Sequence, residues 1–169
     1  MNQIYLDTAR LLAQVAPTVF AGNIFALKGG TAINLFIRDM PRLSVDLDLV
    51  FVDHKPDRAS ALDRINAAIK TAAEQLTRRG FQIHLPSHDD AGETKIFIRR
   101  DKLEVKVEVN YVARGTIHPI HRGSLRGRAK DAIQADLELP IVSIQDLYGG
   151  KLVAAMDRQQ KTSCRHETA

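Results

Sequence analysis

The chain of 169 residues contains a single cysteine, Cys164, so no internal disulfide can form. Long apolar runs are also missing. Arg10, Asp39, Arg42 and Asp46 interrupt the candidate segments, and none approaches the roughly 18 residues of a membrane span. The first seven residues, Met-Asn-Gln-Ile-Tyr-Leu-Asp, have no basic segment leading into an apolar one, so a secretory signal is not expected. A lone thiol and no signal point to a reducing cytoplasm. There is no internal repeat, and 44% hydrophobic with 26% charged residues excludes disordered and collagen-like classes. The length suits one domain. We assign residues 1–158 to it and expect 159–169, which lack periodicity, to be a disordered tail.

Positive charge is in excess, and it is local. Of a net +4, residues 95–130 alone contribute ten Lys or Arg against three Asp or Glu, a balance of +7. Such a block suits RNA, DNA or nucleotide phosphate. The alternative is a solvated basic face, since only Phe97 and Tyr111 could offer aromatic stacking there.

The hydrophobic pattern predicts an amphipathic helix over 3–16, ended by Pro17, and a strand over 23–28 leading into a tight Gly29-Gly30 turn. A short helix is expected at 31–38. Val45 to Val52 then alternates as a strand, with Asp46 and Asp48 on one face. A long helix at 57–79 stops at Gly80. Strands follow at 81–85, 96–98 and 103–111, the last a half-buried antiparallel strand. Residues 113–130 read as a basic loop and 133–139 as a further strand. Ser143, with Asp146 three residues on, should cap a last helix whose face carries Ile144, Leu147, Tyr148, Lys151, Leu152 and Ala155. The expected fold is α+β, a small mixed sheet with carboxylates on one face and helices on the other.

The chemistry concentrates at Gly29-Gly30-Thr31 and Asp46-Leu47-Asp48. Aspartates two apart on a strand stand about 6.6 Å apart on one face, from a rise of about 3.3 Å per residue, and can converge on metal. Glycines let backbone N–H groups approach phosphate oxygens, and Thr31 would add a hydroxyl. Lys151 lies within an apolar helix face. It either snorkels to water or reaches a cleft as a point charge for triphosphate. His118 and His121 lack a third clustered ligand, so zinc is not expected. Gly149-Gly150 falls inside a helix and is no dinucleotide fingerprint.

The run Leu27-Lys-Gly-Gly-Thr-Ala-Ile-Asn-Leu-Phe through Arg42-Leu-Ser-Val-Asp-Leu-Asp-Leu resembles the signature of the AbiEii/AbiGii toxin family, within the DNA polymerase beta-like nucleotidyltransferase superfamily. Weaker similarity extends to Gly149-Gly-Lys-Leu-Val-Ala-Ala-Met-Asp-Arg. The resemblance implies transfer of a nucleoside monophosphate from an NTP to a hydroxyl of RNA, such as tRNA, or of protein. Two Mg2+ ions and a cognate antitoxin from the same operon are implied with it. It makes Gly29, Gly30, Thr31, Arg42 and Ser44 nucleotide-binding residues, Asp46 and Asp48 metal ligands, and Lys151 a triphosphate ligand. A third carboxylate is expected on a neighbouring strand, where Glu104 and Glu108 are candidates. Val-Glu-Val-Asn favours Glu108, and an ion pair with Lys106 or an arginine is the alternative. Lys28 and Arg42 flank the motifs. Because family members continue beyond the match at Asp157-Arg158, the resemblance also implies a truncated chain, and a catalytically silent nucleotide- or RNA-binding remnant is the second reading.

Overall fold

The computed structural model describes residues 3–86, 93–110 and 115–163, with backbone alone at 93–94 and 157–163. Residues 87–92, the end of the expected strand at Tyr111, and residues 164–169 of the expected tail lie outside the described residues.

Seven strands form one mixed sheet: β1 (Phe25–Lys28), β2 (Leu47–Phe51), β3 (Gln82–His84), β4 (Glu93–Arg100), β5 (Leu103–Asn110), β6 (His121–Ser124) and β7 (Glu138–Ile141). Their order is β3-β4-β5-β2-β1-β7-β6. The sheet is larger than expected because the supposed basic loop at 113–130 contains β6 and the start of helix α4 (Gly127–Ile133). The strand expected at 133–139 begins only at Glu138, since Ile133 closes that helix. The strand β5 is antiparallel to β4, as its alternation suggested, yet runs parallel to β2.

Helix α1 (Gln3–Val19) runs through Pro17, contrary to the expected stop. The Phe20 N–H still reaches the Ala16 carbonyl at 3.0 Å, and buried Val19 and Phe20 offset the bond that proline removes. α1 packs on β5, on α3 (Arg58–Arg78) and on α4. α3 begins where Asp57 accepts from the Ser60 N–H at 2.9 Å and ends before Gly80, whose φ of +83° suits glycine. Between helices and sheet lie Leu12, Phe51, Ile65, Leu76, Ile98 and Val107, all almost fully buried, each contributing about 1.5–3 kcal/mol over exposure.

After β1 the chain enters α2 (Gly29–Thr31) and continues directly as a π-helix (Ala32–Ile37), closed by an Arg38 N–H to Ile33 carbonyl bond of 2.7 Å. Ala32 to Phe36 are all buried, more than the single apolar stripe of a surface helix, so this segment is packed on every side. The last helix, α5 (Ile144–Ser163), extends five residues beyond the domain end assigned from the sequence. It starts as expected, with Ser143 Oγ accepting from the Asp146 N–H at 3.0 Å. Its apolar face is largely uncovered by the described residues. Leu147 alone of that face is buried, while Ile144, Tyr148 and Leu152 are exposed.

Candidate active site

The site lies where β1 ends, β2 begins and β5 runs beside them. Pairing sets Asp48 opposite Lys28 on β1 and opposite Glu108 on β5. In β5, Val105, Val107 and Val109 are buried while Glu104, Lys106 and Glu108 are half-buried on the other face. Asp48 alternates with buried Leu47 and Leu49, so Asp48 and Glu108 share the face away from α1. Asp46 precedes the strand and is half-buried.

Gly29 has a φ of +75°, and a Cβ added there would stand 1.9 Å from Asp48 Oδ2. Only glycine fits, for both reasons. Gly30 is helical and is flanked by Ser44 Oγ and Arg42 Nη2, 3.2 and 3.9 Å from where its Cβ would be. Thr31 differs from expectation. It is fully buried, and its hydroxyl donates to the Asp46 carbonyl at 2.5 Å. Ser44 Oγ lies 2.9 Å from the same hydroxyl. Thr31 thus ties the glycine segment to the backbone of Asp46, and its hydroxyl has no proton left for a phosphate.

The electrostatics reflect crowded carboxylates. Burial, and next the charge of Glu108, raises the pKa of Asp48 above the ordinary carboxylate range. Asp46 adds to this, and Lys28 and Lys106 oppose it. Lys106 Nζ lies 3.3 Å and Lys95 Nζ 3.7 Å from Glu108 Oε1. Burial would lower the pKa of Lys106, but Asp46, then Glu108 and Asp48, hold it above the usual lysine value. Glu108 therefore neighbours Asp48 on the adjoining strand and is ion-paired, as the alternative reading expected. Glu104 is separated from the cluster by its ion pair with Arg99.

Three neighbouring carboxylates suit a hard divalent cation, and the repulsion felt by Asp48 is the charge such an ion would relieve. Among the described residues, no three acidic, imidazole or thiol side chains already converge as a ligand set. Glu108 is drawn toward Lys106 and Lys95 instead. Lys28 is half-buried and Arg42 exposed at the edge of the cluster, and neither forms an ion pair among the described residues. Lys151 is exposed on α5, with no bond to the cluster. Sequence reasoning missed Lys95, which precedes the apolar run of β4. Its register opposite Glu108 becomes visible only once β4 and β5 are paired.

A glycine turn pressed against an aspartate on a central strand, with carboxylates on two adjoining strands, sits in a fold similar to that of nucleotidyltransferase toxins. The chain is similar to MenT4, a nucleotidyltransferase toxin from Mycobacterium tuberculosis H37Rv, with a TM-score of 0.55 at 19% identity. That match covers 88% of this chain and 53% of the other, so the chain spans about half the length of that toxin. The chain belongs to the nucleotidyl transferase AbiEii toxin family of type IV toxin-antitoxin systems, whose model matches residues 10–166. No curated protein matches it in sequence. No helix among the described residues is long and apolar enough to cross a membrane.

Proposed function

We propose that this chain transfers a nucleoside monophosphate from an NTP to a hydroxyl of RNA, as the cytoplasmic toxin of a toxin-antitoxin or phage-defence pair held in check by a cognate antitoxin. The close approach of Gly29 to Asp48, with Asp46 and Glu108 beside it, carries this reading. In the reaction the acceptor oxygen bonds to the α-phosphorus, the bond to pyrophosphate breaks, and the hydroxyl proton is released. Asp46 and Asp48 would hold Mg2+, with Glu108 as the third carboxylate. When bound, two such ions would supply neutralisation of the pyrophosphate and a lowered pKa for the acceptor hydroxyl. The chain's own residues would position the substrate. The backbone at Gly29 and Gly30 admits the triphosphate, and Ser44 lines it. Thr31 fixes Asp46 against the glycines. Lys28 and Arg42, without an ion pair among the described residues, offer positive charge at the rim.

Lys151 favours a second reading, a nucleotide- or RNA-binding protein without transfer. The resemblance makes this lysine a triphosphate ligand, yet it stands exposed among exposed Leu152, Val153 and Met156. Isothermal titration with each NTP and Mg2+, then incubation of labelled NTPs with total RNA and with a protein fraction, separates the two. Label on RNA that needs Mg2+ and Asp48 supports transfer. Label on protein alone moves the acceptor, and NTP binding without label supports the second reading.

A further inference from the structure

Half of the ten basic residues of the block found in the sequence are ion-paired in the fold. Arg99 pairs with Glu104, Arg122 with Glu138, Lys130 with Asp136, and both Lys95 and Lys106 with Glu108. Arg100 stacks 3.8 Å over the Phe81 ring and donates to Gln14 and the Arg79 carbonyl. Four arginines without an ion pair among the described residues, two of them from this block, gather around the π-helix. Arg126 and Arg128, at the start of α4, are fastened to the end of the π-helix. The Arg126 N–H donates to the Leu35 carbonyl at 2.9 Å, its Nε donates to the Ile37 carbonyl at 3.3 Å, and the Arg128 N–H donates to Asp39 Oδ1 at 2.9 Å. Arg38 follows the π-helix directly, and Arg42 reaches back beside Gly30. All four arginines are exposed, and none forms an ion pair among the described residues. Asp39 is occupied by the Arg128 backbone, and Asp131 is the other acid nearby.

We infer that Arg38, Arg42, Arg126 and Arg128 form a track for the phosphate backbone of an RNA strand whose end lies at the Gly29-Gly30 turn. This rests on the reading of the site as a nucleotidyl-transfer centre and specifies where its acceptor lies. The six-residue π-helix separates the two ends of the track. The neighbouring aromatic, Phe36, is buried, so bases find no stacking surface there and recognition falls on phosphates with little sequence preference. A folded acidic protein would present fixed carboxylates instead of a repeating chain of phosphates, and is the lesser fit to a line of guanidinium groups.

The test is fluorescence anisotropy of a labelled mixed-sequence single-stranded RNA of about 12 nucleotides, titrated with the full chain across a range of NaCl concentrations. Four phosphate contacts give a slope of log affinity on log salt near −2.8, at about −0.7 per contact, or about 50-fold between 50 and 200 mM. Arg38→Ala with Arg128→Ala removes two side chains that make no bonds among the described residues, so the slope should fall by about 1.4. Arg99→Ala with Arg122→Ala removes two paired arginines and should leave it unchanged. An unchanged slope in the first variant, an equal loss in the second, or no RNA binding at low salt overturns the track. NTP binding with Mg2+, measured on the same variants, keeps the two ideas apart. Failure of NTP binding in the wild-type chain sinks nucleotidyl transfer while leaving an arginine-dependent RNA slope in place.

Discussion

A methyl group on Gly29 would stand 1.9 Å from Oδ2 of Asp48, so the glycine and the carboxylate occupy space that only a hydrogen on Cα allows them to share. Gly29→Ala is therefore expected to cost stability twice, through positive φ and through displacement of Asp48. A loss of about 1–3 kcal/mol corresponds to a melting point lower by about 3–10 °C in a chain of this size. In an Asp48→Ala background the same change should cost less, because the clash has gone. Equal costs in the two backgrounds would refute the contact.

Thr31 gives a second prediction. Thr31→Val keeps the shape but leaves the Asp46 carbonyl without its donor at a buried position, at a cost of about 1–3 kcal/mol. Thr31→Ser should restore the bond and most of the stability. If valine and serine melt alike, the hydroxyl is not the tie that holds Asp46.

The carboxylates should behave in the opposite way. The pKa of Asp48 is raised in the fold, so its contribution favours the folded state below the unfolded carboxylate range and is lost as pH rises through the folded value. At neutral pH the ionised group is thus a burden. Asp48→Asn should leave the melting point unchanged or higher, while Mg2+-linked NTP binding falls by more than about 100-fold. Asp46→Asn should do the same, since Thr31 bonds to its carbonyl and not to its carboxylate. A large loss of stability in both variants would make the pair structural.

How much of this was legible in the sequence depends on how strongly each segment is patterned. β5 alternates over its whole length, so the face carrying Glu104, Lys106 and Glu108 could be read directly. Its neighbour Asp48 could not, because parallel pairing with β2 is a tertiary choice. β6 stayed hidden because it is short, largely exposed and interrupted by Gly123, and α4 because Ala129 and Ile133 alone mark its buried side. Thr31 looked like a phosphate ligand because the sequence shows a hydroxyl beside glycines but not the carbonyl that takes its proton. α5 and its Ser143 cap were legible as well. Its apolar spacing is real, yet nothing among the described residues covers Ile144, Tyr148 or Leu152.

A pH prediction follows from the first turn of α5. Asp146 accepts from the backbone N–H groups of Ile117 and His118 at 3.1 Å each and contacts His118 Nδ1 at 2.8 Å. Burial raises its pKa, but these bonds, the His118 side chain first, outweigh that and leave it below the ordinary value. A depressed carboxylate stabilises the fold fully above its unfolded pKa, about 3.9, and less as pH falls through the folded value. The stability gap between wild type and Asp146→Ala, from urea midpoints, should shrink as pH falls below about 4. A gap that widens in acid would reverse the sign.

Lys106 supplies the last test, because it acts as an internal counterion to the carboxylates proposed to hold metal. Its ammonium lies 3.3 Å from Glu108 and is kept charged, against burial, by Asp46, Glu108 and Asp48. A bound divalent ion would therefore compete with it for Glu108. Removing one positive charge about 4 Å away is worth about 1 kcal/mol per unit charge even in bulk water, hence about tenfold or more for a divalent ion. Lys106→Met is expected to tighten Mg2+ binding by that factor in titrations without nucleotide, and to lower the melting point at low salt until Mg2+ is added. Unchanged Mg2+ affinity would mean that Lys106 is no counterion to a metal held by these carboxylates, Asp46 and Asp48 included.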